Sequence, residues 1–290
     1  MGIPAGDMGI RPPKLDGRDR EMHRPSFSSR LIHAAGVVAV PVASVVVVLV
    51  LWQLIAGAVH VNPVLLPLPS VIFRTMWHDH SLLASYTWTT LKEILLGFAL
   101  AVAVGAPLGA LIVFNRFFYR AFYPLIVASQ MVPKVAVAPL FVVWVGTGLS
   151  SKVLVAFLIS FFPIVVSTTV GFMAVDPDQV TLFRSMGASR SRTFFTLRVP
   201  VALPSVFGGL KVAMSLAVVG AIVGEFVAAN SGLGYYLLVA NGQVDTPGVF
   251  AALFVLTLLG VVLYYCVELA ERLLVPKALL NRSLGAAATM

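Results

Sequence analysis

Charge is scarce in this sequence. Its 290 residues include 12 Asp and Glu against 20 Lys and Arg, and charged residues make up 11% of the chain. Soluble domains carry about 25%. With 59% hydrophobic residues and a mean hydropathy of +0.96, the chain is too apolar to fold in water. Cysteine is almost missing, and the lone Cys266 excludes an intrachain disulfide and a cysteine metal cluster. A phosphate-binding loop is missing too. The nearest imitation, Gly146-Thr147-Gly148-Leu149-Ser150-Ser151-Lys152, has no glycine before its lysine and has Val153 where magnesium requires a hydroxyl. No zinc-protease helix and no nucleophile elbow occurs. His78-Asp79-His80 lacks further ligands and reads as a solvated loop. The sequence therefore offers no catalytic, cofactor-binding or metal-binding residue, and any energy source must lie in another chain.

What it does have is long uncharged runs, and these predict an all-α polytopic membrane bundle of about six transmembrane helices. The runs centre on residues 37–54, 94–114, 124–145, 153–175, 205–228 and 249–267, each near the roughly 20 residues a bilayer crossing needs. The first follows a basic, proline-containing stretch, residues 1–30, read as a disordered cytoplasmic tail. Residues 31–290 are then the membrane domain. From Ala34 to Val59 there is no charge, which is longer than the roughly 7–15 apolar residues of a cleavable signal, so the run reads as a retained anchor. With the tail inside and sides alternating, Arg116, Arg120, Arg272, Lys277 and Arg282 fall on the cytoplasmic side, and only Arg74, Lys92 and Lys152 fall outside. Both termini are then cytoplasmic. This positive-inside pattern explains the net charge of +8 without a nucleic-acid partner.

Within the runs, Gly97, Ala101, Gly105 and Gly109 recur every four residues and make a smooth stripe for close helix contact, with Gly220 and Gly224 a similar pair. Pro107 lies inside the second run and predicts a kink. In the third run Pro133 and Pro139 flank Lys134. A straight helix from Pro124 would place Lys134 about 15 Å deep, near the midplane. Its ammonium either forms a cationic wall of a solute path or hydrogen-bonds carbonyls freed by the prolines. Glu225 lies about 30 Å from Ser205 by helix rise, where it either gates an outer mouth or sits wetted at the interface. Pro133, Lys134, Pro139 and Glu225 are thus the candidate path residues. Lys211 is close enough to the inner boundary to snorkel to the headgroups. Residues 230–247, too polar to cross, form a cap over the path.

The fourth and fifth runs are separated by a polar stretch, Asp176 to Gly209, with Arg184, Arg190, Arg192 and Arg198. Residues 181–186 and 192–197 read as two short helices broken at Gly187-Ala188-Ser189, which makes a compact knob. Its charge pattern alone would also suit an amphipathic connector lying on anionic lipid.

At these residues the chain resembles the membrane subunits of ATP-binding cassette importers. Their signature is a cytoplasmic loop reading Glu-Ala-Ala, three residues, Gly, nine residues, Ile, one residue, Leu-Pro. Gly187 matches the glycine, and Val201, Leu203 and Pro204 close the pattern in register, while Thr181-Leu182-Phe183 replaces Glu-Ala-Ala. Pro133 to Leu140, Gly146 to Lys152, Phe162-Pro163-Ile164, Val175-Asp176-Pro177, Arg184 to Ser189, Gly224-Glu225-Phe226 and Ser231 to Tyr235 all look like the nitrate/taurine/sulfonate class of these permeases. The likeness runs from about Leu68 to Pro276. It implies a multi-pass permease subunit in the cytoplasmic membrane of a prokaryote, without chemistry of its own. It implies two ATPase subunits, an extracytoplasmic solute-binding protein and a second permease copy as partners, besides membrane lipid. It also implies that residues 176–204 are the coupling loop, with Thr181, Arg184, Ser185, Met186, Gly187, Ala188, Ser189 and Pro204 at the docking surface. Similar permeases carry nitrate, taurine, sulfonates, thiamine-precursor pyrimidines or riboflavin. An ion-coupled secondary transporter or a channel subunit is the alternative, but no internal repeat, coupling acid set or filter motif is visible.

Overall fold

The computed structural model describes residues 27–276 apart from 60, 61, 63 and 115. The expected tail up to residue 26, and the basic residues Lys277 and Arg282, lie outside the described residues. The chain divides into two units, Met1–Trp52 and Gln53–Met290. Most of the first helix, α1 (Phe27–Ala58), belongs to the first unit. Phe27 to Arg30, assigned to the tail by composition, form its first turn. Many of its described apolar side chains, Val45 to Val48 among them, are exposed, as suits contact with lipid.

The second unit contains α2 (Pro69–His78), α3 (His80–Phe114), α4 (Arg116–Ser129), α5 (Lys134–Val145), α6 (Leu149–Met173), α7 (Pro177–Ser185), α8 (Arg190–Thr193), α9 (Val199–Ala228), α10 (Leu233–Gly242) and α11 (Thr246–Leu274). Among the described residues four helices are long and apolar enough to cross a bilayer: α3, α6, the helix from Arg190 to Ala228, and α11. The third apolar run departs from expectation. It is two helices, α4 and α5, bent by 94° at the break before Pro133-Lys134, where Pro133 can supply no backbone donor. The six-span reading becomes four straight crossings, one broken or re-entrant pair, and the shorter apolar helix Val42–Ala58 within α1. By contrast α3 remains helical through Pro107.

The centre of the bundle is α6, gripped by α3 on one side and α9 on the other. The glycines make this possible. A Cβ on Gly97 would lie 2.5 Å from Ala156 Cβ, and one on Gly109 2.7 Å from the Val165 carbonyl oxygen, so the small-residue stripe of α3 lies directly on α6. From the other side, a Cβ on Gly220 would lie 2.6 Å from Ala156 Cα and one on Gly224 3.0 Å from Lys152 Cα. Ala156 is therefore in near-backbone contact with both neighbours. Around this contact Ile94, Phe207, Met214, Ala217, Ala221 and Leu263 bury a core shared by α3, α9 and α11. Lys211 of α9 joins this packing instead of reaching the headgroups. Its Nζ pairs with Glu271 Oε2 of α11 at 2.7 Å, and Glu271 is buried.

The segment between α6 and α9 is a knob, but its second half is not a separate helix. Asp176 caps α7 by accepting from the Asp178 amide at 2.9 Å, and Pro177 opens it. Gly187 then turns the chain at φ +80°, and Ser189 caps α8 by accepting from the Arg192 amide at 3.2 Å. From there the helix passes through a π-helical turn, Phe194–Arg198, straight into α9. The expected second knob helix is thus the first two turns of one 39-residue helix, Arg190–Ala228.

If backbone proximity at α6 sets stability, two glycine positions on α9, one against α6 and one in open space, must differ sharply. Gly220→Ala forces the α6 backbone away and is expected to cost about 1–3 kcal/mol. Gly208→Ala adds a methyl where nothing lies within 4 Å and should leave the melting temperature of the detergent-purified protein unchanged or raised. Equal melting of the two variants would contradict the packing.

Candidate functional site

The knob is held to the bundle by apolar contacts. Val175, Val180 and Leu197 form a small buried cluster, with Phe183 and Val201 packed against it. Phe183 thus uses its bulk to anchor α7, while the Thr181 hydroxyl turns back to donate to the Pro177 carbonyl at 3.0 Å. Around the turn, the Ser185 hydroxyl donates to Leu182 O at 2.8 Å and the Ala188 amide to Phe183 O at 3.0 Å, so the turn closes on itself. The Arg184, Met186 and Gly187 side of this turn is exposed. A Cβ on Gly187 would meet nothing within 4 Å, so open space surrounds the tip. Thr181, Arg184, Ser185, Met186, Gly187, Ala188 and Ser189 therefore share one protruding turn. Pro204 lies apart from them, inside α9.

The path candidates do not converge. Lys134 opens α5 at the bend, so its depth does not follow from counting along one helix. Its ammonium lies 4.7 Å over the ring of Phe162, near the middle of α6, which returns it to mid-bundle height by another route. Pro133 caps α5 and Pro139 is inside it.

Glu225 belongs to a different construction, at the end of α9 away from the knob. It is not wetted at an interface. Its residue is 1% exposed, and its carboxylate accepts three hydrogen bonds: from Thr90 Oγ1 of α3 at 2.6 Å, from the Gly234 amide at 2.5 Å and from the Tyr235 amide at 3.3 Å. The last two are amides at the start of α10, whose dipole favours a negative charge there. Thr90 Oγ1 in turn accepts from the Leu233 amide at 2.9 Å. Gly232, at φ +115°, has no Cβ because one would land on the Glu225 carboxylate, and a Cβ on Gly234 would lie 2.8 Å from Glu225 Oε2. This accounts for the glycine spacing in Ser231-Gly232-Leu233-Gly234. Beside this carboxylate, Glu93 of α3, fully buried, pairs with Lys152 of α6 at 2.8 Å. Lys152 is also buried.

The cluster clasps α3, α6, α9 and α10 with charge and hydrogen bonds at the end where the apolar grip of the glycines gives out. Helix α10 is tied down further by Tyr236, whose hydroxyl donates to Asp79 Oδ2 at 3.2 Å. Burial first, and Asp79 next, push its pKa up to about 12, so it remains a donor at working pH. Glu93 and Lys152 were not singled out by composition, yet spacing carries a signal. Glu93 is four residues before Gly97 and Lys152 four before Ala156, so both extend the faces on which α3 and α6 meet.

Comparison with known proteins follows this geometry. The family described as binding-protein-dependent transport system inner membrane component matches residues 93–279. The chain is 40% identical over 237 residues to the formylaminopyrimidine transport permease protein ThiX of Halalkalibacterium halodurans, covering 81% of this chain and 94% of that one. It is 39% identical over 234 residues to the riboflavin transport system permease protein RibX of Chloroflexus aurantiacus, covering 80% and 87%. An inward-facing structure of the MetNI methionine ABC transporter shares the fold at a TM-score of 0.60 and 19% identity, covering 68% of this chain and 98% of that one.

The buried pair predicts a strong asymmetry between single and double variants. Lys152→Met strands the Glu93 charge and is expected to destabilise by about 3–5 kcal/mol, whereas Lys152→Met with Glu93→Leu should recover most of the loss. Thermal unfolding in detergent reads both. A single variant that melts with the wild type would remove the clasp.

Proposed function

The chain belongs to the binding-protein-dependent transport system inner membrane components, and on that footing we propose that its exposed knob is the surface gripped by a separate ATPase. It is a multi-pass permease subunit of an ATP-binding cassette importer and a non-catalytic member of that assembly. In our reading residues 176–204 face the cytosol, with both termini on the same side. Two ATPases bind below, a solute-binding protein docks at the α10 end, and a second copy of the chain completes the path. The observation that carries this reading is the continuity of the knob with α9. Helix α8 runs through the π-helical turn into α9 without a break, so a pull on the knob moves a helix in backbone contact with α6. A π-helical turn is a common place for a helix to yield, and here it lies between knob and bundle. The bent pair supports pairing of two copies, since Met131, Val143 and Trp144 leave a broad apolar face uncovered.

For the solute we propose a planar nitrogen heterocycle. The relatives at 40% and 39% identity are named for a formylaminopyrimidine and for riboflavin, both of that kind. Lys134 over Phe162 offers a flat aromatic face and a cation in one place at mid-bundle, which suits a flat, electron-rich guest.

Two experiments test these readings. Gly187→Trp costs the fold only the backbone strain of φ +80°, about 1–2 kcal/mol. It is expected to uncouple ATP hydrolysis from uptake in reconstituted importer, and full uptake would argue against docking at the knob. The purified partner binding protein should melt higher with a formylaminopyrimidine or riboflavin than with taurine, and Lys134→Ala should slow uptake of the stabilising compound. A shift with taurine alone would contradict the solute class.

A further inference from the structure

On the flank of the knob, reaching its turn at Arg184, lies a cavity of about 350 Å3. Arg184, Arg190 and Arg198 line it together with Val113, Phe114 and Phe194. No acidic residue lines it, and among the described residues no carboxylate pairs with any of the three guanidinium groups. Where the family signature has a glutamate, Thr181 supplies only a hydroxyl, already committed to Pro177. Three uncompensated cations at the mouth of one small cavity repel each other unless an anion joins them.

The height of the cavity says which anion. Helix α3 ends at Phe114, α6 ends just beyond Phe172, and α9 is entered through Phe194. The rings of Phe114 and Phe172 both pack on Phe194, with centroids 5.4 and 5.5 Å away. Three apolar segments thus end at one level, with Phe117, Phe118 and Phe122 exposed on the neighbouring α4. The level at which apolar spans end is where lipid phosphates lie. The guanidinium of Arg198 rests 5.5 Å over the Phe114 ring, which orients it while leaving its donors free. Guanidinium forks match phosphate oxygens in pairs, and the apolar wall of Val113 and Phe114 suits the glycerol and upper acyl carbons.

We propose that this cavity binds the phosphate group of an anionic phospholipid. The site goes beyond ATPase docking: it shares Arg184 with the docking surface, but Leu182, Met186 and Phe195, the apolar residues exposed on the knob, lie outside the cavity. A bound lipid would fix the angle between knob and bundle.

The test is native mass spectrometry of the purified full chain with phosphatidylglycerol or phosphatidylcholine. Phosphatidylglycerol should be retained preferentially, with retention falling about fivefold for each of Arg184→Gln, Arg190→Gln and Arg198→Gln. Arg198→Lys, which keeps the charge, should restore part of it, and Arg74→Gln, on α2, should change nothing. Equal retention of the two lipids, or an equal loss in Arg74→Gln, overturns the proposal. Displacement of the lipid by millimolar inorganic phosphate would assign the site to a soluble anion and overturn the lipid assignment. Unchanged lipid retention with loss of ATPase binding in the arginine variants would assign the cavity to the protein partner and overturn it likewise.

Discussion

The near-backbone contact of α6 with both α3 and α9 is the constraint from which the rest of the structure follows. Lipid offers no hydrophobic drive for helix association, so membrane helices are held by close packing and by the few polar groups they bury. Here the small residues 97, 101, 105 and 109 of α3, and 220 and 224 of α9, let three helices approach until side chain meets backbone. Because the contacts at Ala156 come from both sides, α6 cannot slide past one neighbour without disturbing the other. The three helices behave as one block.

A block needs ends, and the two ends are built on opposite principles. At one, charge is taken inside: Glu93, Lys152, Glu225 and Thr90 are buried and committed to one another or to the amides of α10. Removing any one would leave others unsatisfied in a low-dielectric interior, which makes this end rigid. At the other, charge is kept outside, and the knob is fastened by the small apolar cluster around Val180 and Leu197, by the rings packed on Phe194 and by its continuity with α9. In the proposed reading one end is locked and the other is a handle. An importer subunit whose motor is a foreign protein needs that division, because force applied at the handle must reach the far end without being absorbed between.

Much of this was legible from residues alone. The apolar runs gave helices, the four-residue glycine spacing gave a packing face, and Gly187-Ala188-Ser189 gave the turn of the knob. What was missed has a common cause: it depends on which residues of distant segments come together. Lys152 and Lys211 look like boundary charges when each is read against a flat membrane. They become interior groups once a carboxylate from another helix arrives opposite them. The setting of Glu225 stays open between a gate and a wetted interface for the same reason, since its partners are amides at the start of the following helix, α10. The bend before Lys134 had a visible cause in Pro133, but a proline kinks some helices and breaks others, and only the packing of α5 on α6 decides which. The second knob helix merged with α9 because nothing in residues 194–198 stops a helix; the chain only widens to π-type hydrogen bonding for one turn.

The sidedness of the handle is the point on which the functional reading turns, and it can be measured directly. Met186 is 65% exposed and makes no cap with its side chain, so Met186→Cys in a Cys266→Ser background places one reactive thiol at the tip of the knob. A membrane-impermeant maleimide should label it in inside-out vesicles and fail to label it in intact cells. Protection of the same thiol when the ATPase is bound would complete the case for docking at the knob. Labelling from outside intact cells would place the handle on the wrong side of the membrane for any cytosolic motor.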